Sequence, residues 1–337
     1  MHLTFERYIT GTNGVLAYIG NRGDEFDLRH LRPMFDLGRT RFVFYSSKDR
    51  DSMAEVIADA DVVINLIGKH YETKALANKE EFPYYHMKTN FTMEQANVEI
   101  PRTVAELCTE MQVDNLIHVS SMSASPDSSS EFSKTKYAGE VAVKEAFPWA
   151  TIIRPTQLFG AEDRLLNWYA NAAAGSLPFV PFINESEALT QPVYVDDVAN
   201  VIARIIDDPE KFEGKTVDCF GAQDFTYKEL ADFVYDITSQ EPRKVDLPKE
   251  LVKTMAKGLE LLPYPILTQD MVEHMSEDCV PTMTPEEYKS QDSFLTMENF
   301  GVKQTPIEKV AFDYLHRFRK GGHFVLTGGY HDGVNVK

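Results

Sequence analysis

Apolar residues along the chain follow two periods that take turns. Residues 61–68, Asp-Val-Val-Ile-Asn-Leu-Ile-Gly, are almost continuously apolar, as expected of a strand buried on both faces of a parallel sheet. Asn115–Val119 and residues 151–153 repeat the pattern, and an earlier strand is predicted at 41–45. Between these runs the spacing changes. Residues 49–58 read as a helix, apolar positions 100, 104, 107, 108 and 111 fall on one helical face, and 132–146 open a further helix after a Ser-rich loop. Strand and helix in alternation predict an α/β fold with a doubly wound parallel sheet of Rossmann type.

The N-terminal part fits this pattern less well. Tyr8-Ile9-Thr10 runs into Gly11, Gly14 and Ala17, a G-x-x-G-x-x-A spacing expected at a strand-to-helix junction, where small residues let backbone N–H groups approach a pyrophosphate. A Rossmann half needs a second strand and a second crossover before residue 41, and the chain between is too short for them. Residues 24–38 have loop character, with Pro33 and Gly38, so the second strand is expected to be missing or eroded near Arg22.

Beyond Gly160 the pattern becomes a mixed lobe. A helix capped by Asp196 is expected to bury Val198, Val201, Ile202 and Ile205; a strand at 215–220 and a helix at 227–237 follow. The helix after Leu247-Pro248 carries Leu251, Val252, Met255, Leu259 and Leu262 on one side and Lys249, Lys253 and Lys257 on another. That face suits a membrane interface, but apolar-plus-lysine faces are ordinary in soluble proteins, and a surface helix packed on its own domain is the more common outcome. A last helix at 306–319 precedes a Gly-rich tail. The expected division is therefore a dinucleotide-binding core at 1–160, a lobe at 161–320 interleaved with it, and a flexible tail at 321–337.

Composition narrows the function. A net charge of −18 over 337 residues argues against a nucleic-acid surface, which needs clustered Lys and Arg. Cys108, Cys219 and Cys279 are far apart with no C-x-x-C pair, which predicts buried thiols in a reducing compartment and no metal site. No run approaches the ~18 apolar residues of a membrane span. The first residues include Glu6 and lack the Arg- and Ser-rich character of a mitochondrial presequence, so an imported protein would lack its presequence in this chain.

The chemistry concentrates at residues 118–140. Short-chain dehydrogenases place a serine at the end of such a strand and Tyr-x-x-x-Lys on the next helix; the tyrosine exchanges the proton, and the lysine lowers its pKa and holds the nicotinamide ribose. Here Phe132 stands four residues before Lys136 and has no proton to give. Tyr137 cannot replace it, because Val141 occupies the position of its lysine, and the Y-x-x-x-K of Tyr84 and Lys88 lies too early in the chain. Ser121 and His118 are poor substitutes: a serine is a weak acid, and His118 sits inside a strand as a core histidine would. No catalytic residue is expected.

Taken together, residues 27–38 (DLRHLRPMFDLG), 62–74 (VVINLIGKHYETK), 97–108 (NVEIPRTVAELC), 116–124 (LIHVSSMSA), 132–140 (FSKTKYAGE), 154–167 (RPTQLFGAEDRLLN) and 191–199 (QPVYVDDVA) resemble one family. It is the dinucleotide-binding accessory subunit of mitochondrial respiratory complex I, NADH:ubiquinone oxidoreductase, an atypical extended short-chain dehydrogenase. The resemblance implies a non-catalytic subunit that holds NADPH as a structural ligand. Its place would be the matrix-facing peripheral arm at the inner membrane, near the membrane arm, with other subunits as partners. It also implies site residues: Gly11, Gly14 and Ala17 along the pyrophosphate, Arg22 on the 2′-phosphate, Gly68 at the backbone edge, and Ser120, Ser121, Lys136 and Pro155 at the nicotinamide riboside. Two other classes fit the same residues: a free-standing NADPH-dependent atypical reductase or epimerase, and a dinucleotide-sensing regulator.

Overall fold

The computed structural model describes residues 5–11, 14–21, 28, 31, 33, 35, 38–72, 91–176, 179–183, 187–261, 265 and 267–319. The first strands are β1 (Phe5–Gly11), β2 (Gly14–Asn21), β3 (Thr40–Phe44), β4 (Val62–Asn65), β5 (Asn115–Val119) and β6 (Thr151–Pro155). The helices between them are α1 (Arg50–Ile57), α2 (Ile100–Glu110) and α3 (Glu131–Ala146). With two strands from the second half of the chain they form one eight-stranded sheet, ordered Phe294–Thr296, Thr216–Cys219, β6, β5, β4, β1, β2, β3. Neighbours from Phe294–Thr296 to β4 are parallel, as are β2 and β3; only β1 is antiparallel, to both β2 and β4.

The direction of β1 follows from chain length. Two residues separate it from β2, enough for a hairpin, whereas a parallel return needs a crossover of about a dozen residues or more. This corrects the expectation of a lost second strand. Gly14–Asn21 lies beside β3 and parallel to it, and the missing element, among the described residues, is a helix between β1 and β2. Gly11 and Gly14 pair across the hairpin instead of opening a helix.

Both faces of the sheet are covered. Val63, Leu116 and Ile152 pack with Val56 and Ile57 of α1, Val104 and Cys108 of α2 and Val143 of α3. Val62, Ile64, Ile117 and Ile153 point the other way, onto Val198, Val201 and Ile205 of the helix Val195–Asp207. Successive strand residues alternate faces, and this is why the strands read as unbroken apolar runs. A second cluster, with Leu166, Tyr169, Tyr227, Leu230 and Val234, forms the core of the lobe. Cys108, Cys219 and Cys279 are free and buried, the first two within apolar clusters.

One expectation for the lobe is corrected. Tyr194, not Asp196, is the N-cap of Val195–Asp207, because Val193 and Tyr194 pair with Leu158 and Phe159 and carry the chain into the helix earlier. The lysine stripe is also partly occupied. In the helix Lys249–Leu259 the Lys249 ammonium lies 2.5 Å from Glu273, and Lys253 pairs with the same carboxylate. Val252 and Ala256 are the face turned inward, and Leu251, Met255 and Leu261 remain exposed. Among the described residues no helix is long and apolar enough to cross a membrane.

Candidate functional site

The parallel strands end at one edge of the sheet, and a cavity of about 410 Å³ opens there. Backbone that leaves β4, β5 and β6 brings Gly68, then Ser120 and Ser121, then Pro155 to its wall. This is the crevice beyond the carboxyl ends of strands where open α/β sheets bind ligands. Phe132 and Lys136 reach it from α3.

The start of α3 is capped by another part of the chain. Ser130 makes no side-chain cap bond. Instead Asp270, from the helix Gln269–His274, accepts from the backbone N–H of Glu131 (2.6 Å) and Phe132 (3.2 Å) and from the Ser130 hydroxyl (3.1 Å). A carboxylate at this point satisfies orphan donors and meets the positive end of the helix dipole. Replacing Asp270 with Ala is expected to cost about 1–2 kcal/mol in chemical denaturation, the ordinary loss of an N-cap. An unchanged midpoint would assign the cap to other groups.

Below this turn α3 crosses the one-turn π-helix Gln95–Glu99 closely. A Cβ on Gly139 would stand 2.1 Å from the Asn97 carbonyl oxygen, so only glycine allows the approach. The Asn97 side chain accepts from the Lys69 N–H at 2.7 Å and donates to the Lys69 carbonyl at 2.9 Å and to Thr135 Oγ1 at 3.0 Å. It fixes the backbone beyond β4 as a neighbouring strand would, and thereby fixes Gly68. The Lys136 Nζ lies beneath Gly68, where an added Cβ would come within 2.9 Å, and donates to the Val119 carbonyl at 3.2 Å. Burial pushes the Lys136 ammonium down to about 8, against the field of Glu140. Glu140 itself is held by Arg154 through bonds of 2.9 and 2.5 Å.

Phe132 sits in a cage of rings. Its centroid lies 4.7 Å from His70 and 5.3 Å from His274, edge to face in both cases, and the two imidazoles are 5.7 Å apart. Burial drives both histidines to lower pKa, His70 to about 3 and His274 to about 4, so both are neutral at physiological pH. Gln157 Nε2 lies 2.9 Å from His274 Nε2 and 3.3 Å from the Tyr227 hydroxyl. An amide N–H donating to His274 Nε2 leaves the ring proton on Nδ1, which is buried without a partner among the described residues. His118 is likewise buried: Asn65 Nδ2 meets its Nδ1 at 3.2 Å, and desolvation takes it to about 3.

Of the site residues expected from the sequence, Gly68, Ser120, Ser121, Lys136 and Pro155 converge on this cavity. Gly11 and Gly14 do not. Because β1 runs against β4, with Phe5 opposite Asn65 and Tyr8 opposite Val62, the Gly11–Gly14 turn lies at the far edge of the sheet. Ala17 is buried inside β2. Among the described residues no helix begins at that turn to receive a pyrophosphate. Arg22 follows Asn21, the end of β2 on the correct edge, but lies outside the described residues, as do Tyr84 and Lys88. Sequence reading missed Asn97, His70, His274, Gln157 and Asp270. Only Asn97 left a signal, a buried polar position in an otherwise apolar helical face; the others come from distant segments.

The cavity fits the nicotinamide riboside half of a dinucleotide. The Lys136 ammonium is a donor for ribose oxygens, the Ser120 hydroxyl is buried with no partner among the described residues, and Pro155 supplies apolar surface. The hairpin at Gly11 and Gly14 does not fit the pyrophosphate half.

Comparison with known proteins agrees with the geometry. The NAD dependent epimerase/dehydratase family matches residues 15–219. The mouse (Mus musculus) NADH dehydrogenase [ubiquinone] 1 alpha subcomplex subunit 9, mitochondrial, is 34% identical over 320 residues, covering 93% of this chain and 77% of that protein. The Neurospora crassa NADH-ubiquinone oxidoreductase 40 kDa subunit, mitochondrial, is 31% identical over 304 residues, covering 90% and 73%. Among solved structures, a nucleoside-diphosphate-sugar epimerase from Staphylococcus aureus superposes with a TM-score of 0.58 at 13% identity over 89% of this chain and 90% of that one, which concerns the fold alone. The chain is therefore a member of the NAD dependent epimerase/dehydratase family and, within it, of the group formed by the mitochondrial NADH dehydrogenase 1 alpha subcomplex subunit 9.

Proposed function

We propose that this chain is a non-catalytic accessory subunit of mitochondrial respiratory complex I that binds NADPH in the cleft between sheet and lobe as a structural ligand. The observation that carries the reading is Phe132, a ring without an ionisable proton, at the position of the acid and packed between two neutral histidines. The relatives' names supply the complex. Lys136 and Ser120 would bond the ribose hydroxyls, Gly68 and Ser121 line the backbone edges, and Pro155 covers the nicotinamide face. Arg22 remains the residue proposed for the 2′-phosphate. When bound, the cofactor would add stability by mass action, roughly 2.7 kcal/mol at about a hundred times its Kd.

In this reading the protein sits in the peripheral arm on the matrix side of the inner membrane, near the membrane arm. The exposed side chains of Leu251, Met255 and Leu261 are the surface proposed to meet the membrane interface, with Lys257 as the lysine of the stripe not engaged by Glu273. Co-migration of the tagged chain with a respiratory complex on a native gel tests the assignment; a small free species with oxidoreductase activity would overturn it. Denaturing the purified protein and assaying the released nucleotide tests the cofactor.

The site offers a separate check. Phe132→Tyr restores a hydroxyl to the cage, but neighbours that are neutral and a cradle without its pyrophosphate helix give turnover nothing else it needs. NADPH oxidation with simple carbonyl substrates is expected to stay at background, followed as loss of reduced-nicotinamide absorbance. Brisk oxidation would show that a single atom had been silencing an enzyme.

A further inference from the structure

The Ser-rich loop before α3 is docked on acids. Ser128 Oγ donates to Glu277 at 2.5 Å; the Ser129 N–H and hydroxyl donate to the same carboxylate at 2.7 and 2.6 Å. The Ser129 hydroxyl also lies 3.0 Å from Glu273. With Asp270 on Ser130, Glu131 and Phe132, one short segment of the lobe clamps the loop and the first turn of α3. The same segment carries His274, which walls the cavity. The clamp thus joins the lobe to the helix that bears Phe132 and Lys136.

The three serines differ in access. Ser130 is fully buried and Ser128 half-buried, whereas Ser129 is exposed and flanked in sequence by Asp127 and Glu131. Its bonds to two carboxylates are favourable only because it donates a proton. We infer that Ser129 is a phosphorylation site for an acid-directed protein kinase and that phosphate there opens the clamp. The γ-phosphoryl group of ATP would break from its bridging oxygen and bond to Ser129 Oγ; the hydroxyl proton passes to the kinase's base, and ADP leaves. The product carries nearly two negative charges and no donor where a donor had been.

Charge around the site favours opening. Although burial opposes it, bonds from Lys249, Lys253 and Ser129 hold the Glu273 carboxyl down to about 2, and Ser128 and Ser129 lower Glu277, so both are ionised. Lys249 and Lys253 are already paired with Glu273, Lys253 also lies near Glu250, and Lys134 is paired with Glu131. Glu277 faces the phosphate with no lysine or arginine salt-bridge partner among the described residues and pushes it away.

The inference goes beyond the cofactor reading and its test does not use NADPH. The full chain is incubated with ATP and a serine kinase that selects acidic flanks; the modified residue is located by mass spectrometry, and hydrogen exchange is followed at 129–132. The expected result is phosphate on Ser129 of the folded chain and exchange at the Ser129, Glu131 and Phe132 amides at least about tenfold faster. Ser129→Ala should take no phosphate at this segment. In Glu277→Gln the ratio of modified to unmodified exchange should fall towards one, because the carboxylate without a lysine or arginine partner among the described residues is gone, while Glu273 stays paired with Lys249 and Lys253. Phosphate confined to other serines, incorporation only after denaturation, or exchange that stays equal or slows because the phosphate captures Lys249 and Lys253, would each overturn the inference.

Discussion

Between about pH 7 and about pH 5.5 the ligand-free protein will lose roughly 2.5 kcal/mol of stability through two histidines alone. His118 and His274 are both buried, and desolvation lowers them to about 3 and about 4. Their folded pKa values lie below the unfolded value of 6.5, so the neutral rings contribute fully above that pH. As pH falls the unfolded chain takes up protons that the folded chain refuses, and the contribution drains away towards the folded values. Lys136 adds its field against a proton on His118, and Glu277 works the other way on His274. His70 is shifted in the same sense but is only half-buried where it lines the cavity, so it adds less. The carboxyls of Asp218, which is buried, and of Asp163 and Asp270, which are half-buried, are raised by loss of solvent and offset part of the loss at lower pH. Chemical denaturation at several pH values reads the slope directly, and His274→Gln should remove about half of the part assigned to the pair. Stability that is flat over this range would mean that both rings gain protons in the folded state as easily as in the unfolded one.

Lys136→Met will separate stability from ligand binding. At neutral pH the lysine is a buried ammonium whose main company is one carbonyl and a glutamate already paired with arginine. Its pKa is lowered from 10.5 to about 8, so keeping the charge inside costs about 3 kcal/mol, part of it recovered by the bond to Val119. The shift sets the sign. Between the folded and unfolded values the unfolded chain holds more proton, and the wild type therefore gains stability as pH rises from about 8 towards 10.5. The methionine variant has no such term. It should be more stable than the wild type by about 1–2 kcal/mol near pH 7, and the gap should close on the alkaline side. NADPH affinity should fall roughly 10- to 100-fold, the worth of a charge-assisted hydrogen bond. Such opposition is usual where a site keeps a costly group for its ligand. A variant less stable than the wild type at neutral pH would show that the Val119 bond and the Glu140 field outweigh burial, and unchanged affinity would remove Lys136 from the binding residues.

Much of the architecture was legible because it rests on periodicity. Asn115–Val119 is the strand its apolar run predicted, α3 begins within a residue of the expected start, and the helix after Pro248 lies where its spacing put it. These elements bury a face that their own sequence defines. The N-terminus failed for a matching reason. G-x-x-G-x-x-A serves a hairpin and a strand as readily as a strand-to-helix turn, and here the short link to β2 decided in favour of the hairpin. Residues 14–21, where the fingerprint spacing predicts a helix, form the second strand instead.

From the sequence alone came the α/β class, the lysine that remains and the hydroxyl that does not; periods and residue types are properties of adjacent positions. The tertiary structure decided what distance in sequence conceals. It put His70 and His274 against Phe132, set Asn97 to hold the backbone above Lys136, and capped α3 with Asp270 from the far lobe. It also moved Gly11 and Gly14 to the opposite edge of the sheet, because strand direction depends on pairing and link length, and no residue carries that by itself.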